Sequence, residues 1–240
     1  MIASMMTIVL LPGMDGTGTL YAPLHAALNG ECKLLMLTYP VDQALSYAEL
    51  EALVQTQLPQ DEDYILLGES FSGPIAISIA ATQPVRLKAL ILCATFASNP
   101  RPLLAASRYA LPYLPTRLAP LSVFSHLLLG RFSSKELRRQ LAYALAQVKP
   151  SSLKARLRAV LCCDVKEKLK LLKVPVIYLQ ASRDKLVPAS AHADISRQLH
   201  DMETYRYDAP HFLLQTKADE VAKDILKFIS RIEAHEEKQL

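Results

Sequence analysis

A chain of 240 residues, 51% hydrophobic and 21% charged, has the composition of an ordinary globular domain. That excludes a disordered chain, which needs low hydrophobicity and high net charge, and at this length a core forms without disulfide or metal staples. The formal net charge of +4 hides an asymmetry: residues 98–172 carry 14 Lys and Arg against three Asp and Glu, while the remainder carries 13 against 20. A basic middle is set into an acidic body. Such a stretch is either a solvated helical face or a surface that attracts an anionic substrate, an acidic carrier protein or a lipid head group.

The apolar start, Met1–Leu11, lacks the basic residues and small-residue cleavage site of a signal peptide and runs into Pro12-Gly13, so it reads as a strand ending in a turn. Five near-continuous apolar runs follow the pattern of parallel strands covered on both faces: Thr7–Leu11, Lys33–Thr38, Tyr64–Leu67, Ala89–Cys93 and Val176–Gln180. A sixth, Glu203–Tyr207, alternates and is expected at the sheet edge. Between them, Ser46-Tyr47-Ala48-Glu49 is a capping box ahead of Leu50, Leu53 and Val54. Thr216-Lys217-Ala218-Asp219 opens a last helix with Val221, Ile225, Phe228, Ile229 and Ile232 at helical spacing.

Strands alternating with helices predict an α/β fold, a mainly parallel sheet flanked by helices. The alternation breaks once. From Asn99 to about Leu172 only Pro-punctuated helical pieces occur, a stretch too long for a plain loop. The expected organisation is a core of residues 1–97 and 173–240 with a helical lid inserted at 98–172. The lid's Arg and Lys are expected on its outer surface, with the apolar residues of Leu118–Leu129 facing the site. No run reaches ~18 apolar residues, so no transmembrane segment is expected. Four cysteines, Cys162 and Cys163 adjacent, offer neither a disulfide framework nor a metal spacing, which points to a reducing, cytoplasmic location. No cofactor, metal or nucleic-acid partner is expected.

The chemistry concentrates at Gly68-Glu69-Ser70-Phe71-Ser72-Gly73, where a buried run passes straight into an apolar helix. A strand–turn–helix at Gly-x-Ser lifts the hydroxyl of Ser70 clear of the sheet and turns the backbone N–H of Phe71 toward an oxyanion. The bland alternative is a helix N-cap serine. Ser72 stands where the usual pattern has its final Gly, and Gly73 follows one step later. A hydroxyl nucleophile needs a base, and the base needs a carboxylate to hold its tautomer. His211 follows the last strand and Asp184 follows the fifth, so both share with Ser70 a place at C-terminal strand ends, where parallel sheets carry their sites. The chain order is Ser, Asp, His. Asp208, three residues before His211, is the substitute acid. His25, His126, His192, His200 and His235 follow no strand.

After the first strand, Pro12-Gly13-Met14-Asp15-Gly16-Thr17-Gly18 packs three glycines into six residues. It lacks the Lys-Ser/Thr of a P-loop and the glycine order of a dinucleotide site. The reading it supports is a second oxyanion donor, the backbone N–H of Met14.

On these residues the sequence resembles the α/β-hydrolase superfamily over essentially its whole length, through PGMDGTG, GESFSG, ASRDKLVP and the terminal APHFLLQTKADEVAKDILKFI. The resemblance implies Ser70 as nucleophile, Asp184 as acid, His211 as base, and Met14 and Phe71 as oxyanion donors, with a helical cap after the fourth strand. Pro12 replaces the His of many members, and the two antiparallel strands that usually begin the fold are missing. The PG-x-DG-x-G loop is similar to that of some small hydrolases and of the hydrolase-like part of some plastid acyltransferases. Ser70 at this position disfavours members with an Asp nucleophile. The expected activity is hydrolysis of carboxylic esters or thioesters through an acyl-enzyme, on a small-molecule substrate that is neutral, anionic or carrier-linked. Acyl transfer by the same residues, and a non-catalytic binding module on the same fold, are the alternatives.

Overall fold

The computed structural model describes residues 5–28, 30–113 and 121–237. Six strands, β1 (Thr7–Leu11), β2 (Lys33–Met36), β3 (Tyr64–Glu69), β4 (Leu87–Cys93), β5 (Val176–Ala181) and β6 (Glu203–Tyr207), form one sheet in the order β2-β1-β3-β4-β5-β6. Every pair is parallel. The α/β expectation holds, with β6 at an edge.

The connecting helices are α1 (Ala22–Leu28), α2 (Tyr47–Gln55), α3 (Gly73–Ala81), α4 (Leu121–Leu129), α5 (Lys135–Ala146), α6 (Pro150–Leu161), α7 (Lys166–Leu169), α8 (Ala189–Ser196), α9 (Leu213–Thr216) and α10 (Ala218–Glu237). Because side chains alternate across a strand, each run feeds two cores. Val9, Leu11 and Leu66 face α2, α3 and α8 on one side, and Ile8, Leu10 and Ile65 face α1 and α10 on the other. This two-sided burial is why β1, β3, β4 and β5 are apolar almost throughout, whereas β2, expected to be covered on both faces, lies at the other edge of the sheet and, like β6, is only partly buried. The capping box forms as expected at the start of α2: Ser46 Oγ accepts from Glu49 N, and the Glu49 carboxylate accepts from Ser46 N.

Four strand boundaries depart from expectation; β4 begins two residues early, at Leu87, and β5 ends one residue late, at Ala181. β2 stops at Met36 instead of Thr38, because after Leu37 N bonds to Leu10 O the chain swings over the loop beyond β1, and Tyr39 N bonds to Gly16 O at 2.8 Å. β3 runs on to Glu69, since β1 and β4 flank it and extend its ladder.

Helices α4 to α7, with 3-10 segments at Pro102–Tyr109, Leu111–Tyr113 and Gly130–Phe132, occupy the stretch between β4 and β5. It leaves and returns at one place: Ser98 bridges Asp164, Val165 N donates to Ala97 O at 2.7 Å, and Asn99 N donates to Cys163 O at 2.9 Å. No described helix is long and apolar enough to cross a membrane.

Candidate active site

At the C-terminal end of β3 the chain reverses from strand to helix within one 3-10 turn, Ser70–Ser72. Ser70 takes a φ of 50°, a left-handed conformation that non-glycine residues adopt at a cost. The turn is possible because of two glycines. A Cβ on Gly68 would lie 2.8 Å from Ala76 Cβ, and one on Gly73 would lie 1.9 Å from Thr95 Oγ1. Thr95, just beyond β4, also donates its hydroxyl to the Ser70 carbonyl.

The reversal brings Ser70 Oγ to 2.7 Å from His211 Nε2. On the other face of the ring, His211 Nδ1 lies 2.7 Å from Asp184 Oδ2, and both side chains are almost wholly buried. The second carboxylate oxygen, Oδ1, accepts from the backbone N–H groups of Leu186 (2.8 Å) and Val187 (2.9 Å), so the turn after β5 fixes its orientation. An ionised carboxylate only accepts, so Nδ1 carries the proton and Nε2 presents its lone pair to the Ser70 hydroxyl. Asp208 is turned elsewhere: exposed, it pairs with Arg183 (2.8 Å) and Arg131 (2.6 Å). Hydrogen bonding from Arg183, with the charge of Arg131, holds its carboxyl below the usual range.

Sequence reasoning passed over Glu69. This buried carboxyl precedes Ser70 and accepts from Gln215 Nε2 at 3.2 Å. Burial pushes its pKa up to about 7, against the opposing hydrogen bond. Burial acts the other way on the His211 imidazolium, but the charge and hydrogen bond of Asp184, aided by Glu69, outweigh it and raise His211 above its ordinary value. An acidic residue between two apolar runs was the available signal.

The loop after β1 is tied to the strand-to-helix turn at Ser70–Ser72 by side chains. Ser72 Oγ donates to the Pro12 carbonyl and in turn receives the hydroxyl of Tyr39 at 2.5 Å. The serine that replaces the usual glycine therefore bridges the two segments holding Met14 and Phe71. Phe71 stacks on Tyr47 at 4.8 Å, and the Tyr47 hydroxyl donates to Phe71 O at 2.9 Å. Beyond Tyr47 opens a cavity of about 660 Å³ with Leu45, Leu111, Lys154 and Arg158 among its lining; Ser70 is not part of that lining.

From the helical stretch, Leu128 O accepts from Phe212 N at 3.1 Å, and Leu129 packs with Leu20, Leu141 and Phe212 beside His211. Leu118, Ala119 and Pro120 of the expected site-facing segment lie outside the described residues, and Val123 faces solvent. The expectation that the basic residues all point outward fails at Arg156, which is buried against the loop after β1.

The sequence matches the model of the alpha/beta hydrolase family over residues 8–224. The chain belongs to that family. Among its relatives, a pimeloyl-[acyl-carrier protein] methyl ester esterase of Vibrio parahaemolyticus is 28% identical over 201 residues, spanning 75% of each chain. Phytyl ester synthase 1 of Arabidopsis thaliana chloroplasts is 26% identical over 82% of this chain but only 32% of its own length. In three dimensions this hydrolase is similar to a hydrolase from Pseudomonas aeruginosa, with a TM-score of 0.81 at 18% identity, over 95% of this chain and 91% of the other. The enzyme is an esterase-type hydrolase.

Proposed function

We propose that this hydrolase cleaves carboxylic esters or thioesters through an acyl-enzyme, with Ser70 as nucleophile, His211 as general base and acid, Asp184 as the carboxylate that orients it, and the N–H groups of Met14 and Phe71 as the oxyanion hole. The observation that carries this reading is the continuous pair of 2.7 Å contacts from Ser70 Oγ through the imidazole to Asp184 Oδ2. Ser70 Oγ attacks the carbonyl carbon as its proton passes to Nε2, and the carbonyl electron pair moves onto oxygen, where the two N–H groups meet it. Collapse expels the alcohol or thiol, which takes the proton from His211. Water then attacks the Ser70 ester, gives a proton to His211, and releases the acid as Ser70 recovers its hydrogen.

In this reading the GESFSG segment is the nucleophile elbow, PGMDGTG supplies the second donor, and residues 98–172 are a lid on a core of 1–97 and 173–240. The lid's basic excess and the carrier-linked ester named for the Vibrio relative favour an anionic or carrier-linked acyl substrate. The synthase among the relatives favours a second outcome of the same acyl-enzyme, transfer to an alcohol.

The test is hydrolysis of p-nitrophenyl esters of graded acyl length by wild type and Ser70→Ala, with and without added alcohol. The reading expects turnover to vanish in the variant, and the product ratio separates hydrolysis from transfer. Retention of more than about one part in a thousand of kcat would contradict it, since losing such a nucleophile costs about 10⁶.

A further inference from the structure

We propose that Arg156 is a positioning residue that holds the Gly13–Met14 amide in the orientation oxyanion binding requires. The proposal rests on the acyl-enzyme reading above and adds to it a residue from the inserted helices.

Arg156 sits on α6 with 2% of its surface exposed. Its Nη1 donates to Met14 O and to Asp15 O, both at 2.8 Å, and Nη2 donates to Pro40 O at 2.9 Å. The guanidinium also lies over the Tyr39 ring, 5.7 Å from its centre. A Cβ at Gly16 would meet Nη1 at 2.7 Å and both Cζ and Nη2 at 2.9 Å, so the guanidinium rests directly on that glycine. Gly16 N in turn bonds to Gly13 O at 3.0 Å.

Gly13 C=O and Met14 N–H belong to one planar peptide, so fixing the carbonyl fixes the N–H. The peptides on either side are pinned as well. Pro12 O is held by Ser72, and Met14 O by Arg156. Every carbonyl from Pro12 to Asp15 thus has a partner, and Arg156 touches or supports three of the four.

Burying a guanidinium is costly even when hydrogen-bonded, and an apolar side chain of similar volume often packs as stably. The fork of donors offers what an apolar side chain lacks, a directional grip on successive carbonyls. Oxyanion stabilisation depends on that kind of preorganisation, because donors that must reorient during the reaction lose their advantage.

The experiment compares wild type, Arg156→Lys and Arg156→Met in the full chain, reading kcat, KM, near-UV circular dichroism and the Ki of an alkyl boronic acid, a tetrahedral oxyanion mimic. The proposal expects folded variants, KM within about two-fold and kcat lower by about 10- to 100-fold, a part of the 10²–10³ lost with a whole donor. The boronate Ki rises in step with the fall in kcat, and Lys recovers part of both. Unchanged kcat in a folded variant, a kcat loss without a change in Ki, or loss of the native dichroism in both variants would each overturn it. Ser70→Ala is run beside them. Should that variant keep its turnover, the acyl-enzyme reading fails and takes this proposal with it, whereas an inactive Ser70→Ala beside a fully active Arg156→Met removes Arg156 alone.

Discussion

Asp184 and His211, 27 residues apart, meet across the ends of neighbouring strands β5 and β6 with Oδ2 2.7 Å from Nδ1, while Asp208, only three residues from His211, points into two arginines. Proximity in sequence and proximity in space separate here. Asp184→Asn would offer an amide that favours the wrong histidine tautomer, and kcat should fall by about 10⁴. Asp208→Asn removes only exposed ion pairs and should leave kcat within about two-fold. Steady-state kinetics on both variants check this, and a severe Asp208→Asn beside a mild Asp184→Asn would reverse the assignment.

His211 must be neutral to accept the Ser70 proton, and its pKa is raised, so the acid limb of kcat/KM should fall above pH 6.5. Glu69 contributes to that elevation, so Glu69→Gln should move the limb to lower pH. The same variant has a stability signature. A carboxyl raised from 4.5 to about 7 keeps its proton in the folded state where the unfolded chain releases it, so stability falls as pH rises from 4.5 to about 7. Glu69→Gln lacks that fall. It should match wild type near pH 4 and exceed it by about 3 kcal/mol at pH 8, as denaturant titrations at both pH values would read. A stability difference independent of pH would contradict the burial argument.

The elbow's steric demand gives a third outcome. In Gly73→Ala the new methyl group would enter Thr95, and overpacking of this kind costs about 1–3 kcal/mol or more. Thr95→Ala removes the nearest two atoms and should return part of that loss in the double variant. Strictly additive effects would mean that the two residues do not meet.

Much of this arrangement is legible in the sequence because parallel strands buried on both faces must be apolar throughout, and because sites in such sheets lie at strand ends. Ser70 and Asp184 each follow an apolar run by a few residues and His211 follows the alternating edge strand, all of which local pattern detects. What escapes is side-chain traffic between segments far apart in the chain. Nothing around Tyr39 or Ser72 announces that they share a hydrogen bond over 33 residues. Arg156 lies in a strongly basic stretch whose other members suggest a solvated face, and only the fold turns it 142 residues back onto Met14. β2 reads two residues too long for a related reason: Leu37 is as buried as a strand residue, but it is leaving the sheet to cover the loop.

The basic helices carry a kinetic expectation. If they steer anionic substrates, kcat/KM for a carboxylate-bearing ester should fall as salt shortens the screening length from about 10 Å at 0.1 M, while a neutral ester stays level. Arg138→Glu with Arg139→Glu should reproduce that fall at low salt. Equal salt dependence for the two esters would make the charge a solvated face.

The central claim is a covalent acyl-Ser70 intermediate, and rapid-quench kinetics with a p-nitrophenyl ester, followed by intact mass and peptide mapping, tests it most directly. The account predicts that each active enzyme molecule gains one acyl mass on the peptide containing Ser70, with the label absent in Ser70→Ala and persisting longer in His211→Ala where it forms at all. Full turnover with no acyl adduct, or an adduct on another residue that survives in Ser70→Ala, would contradict it.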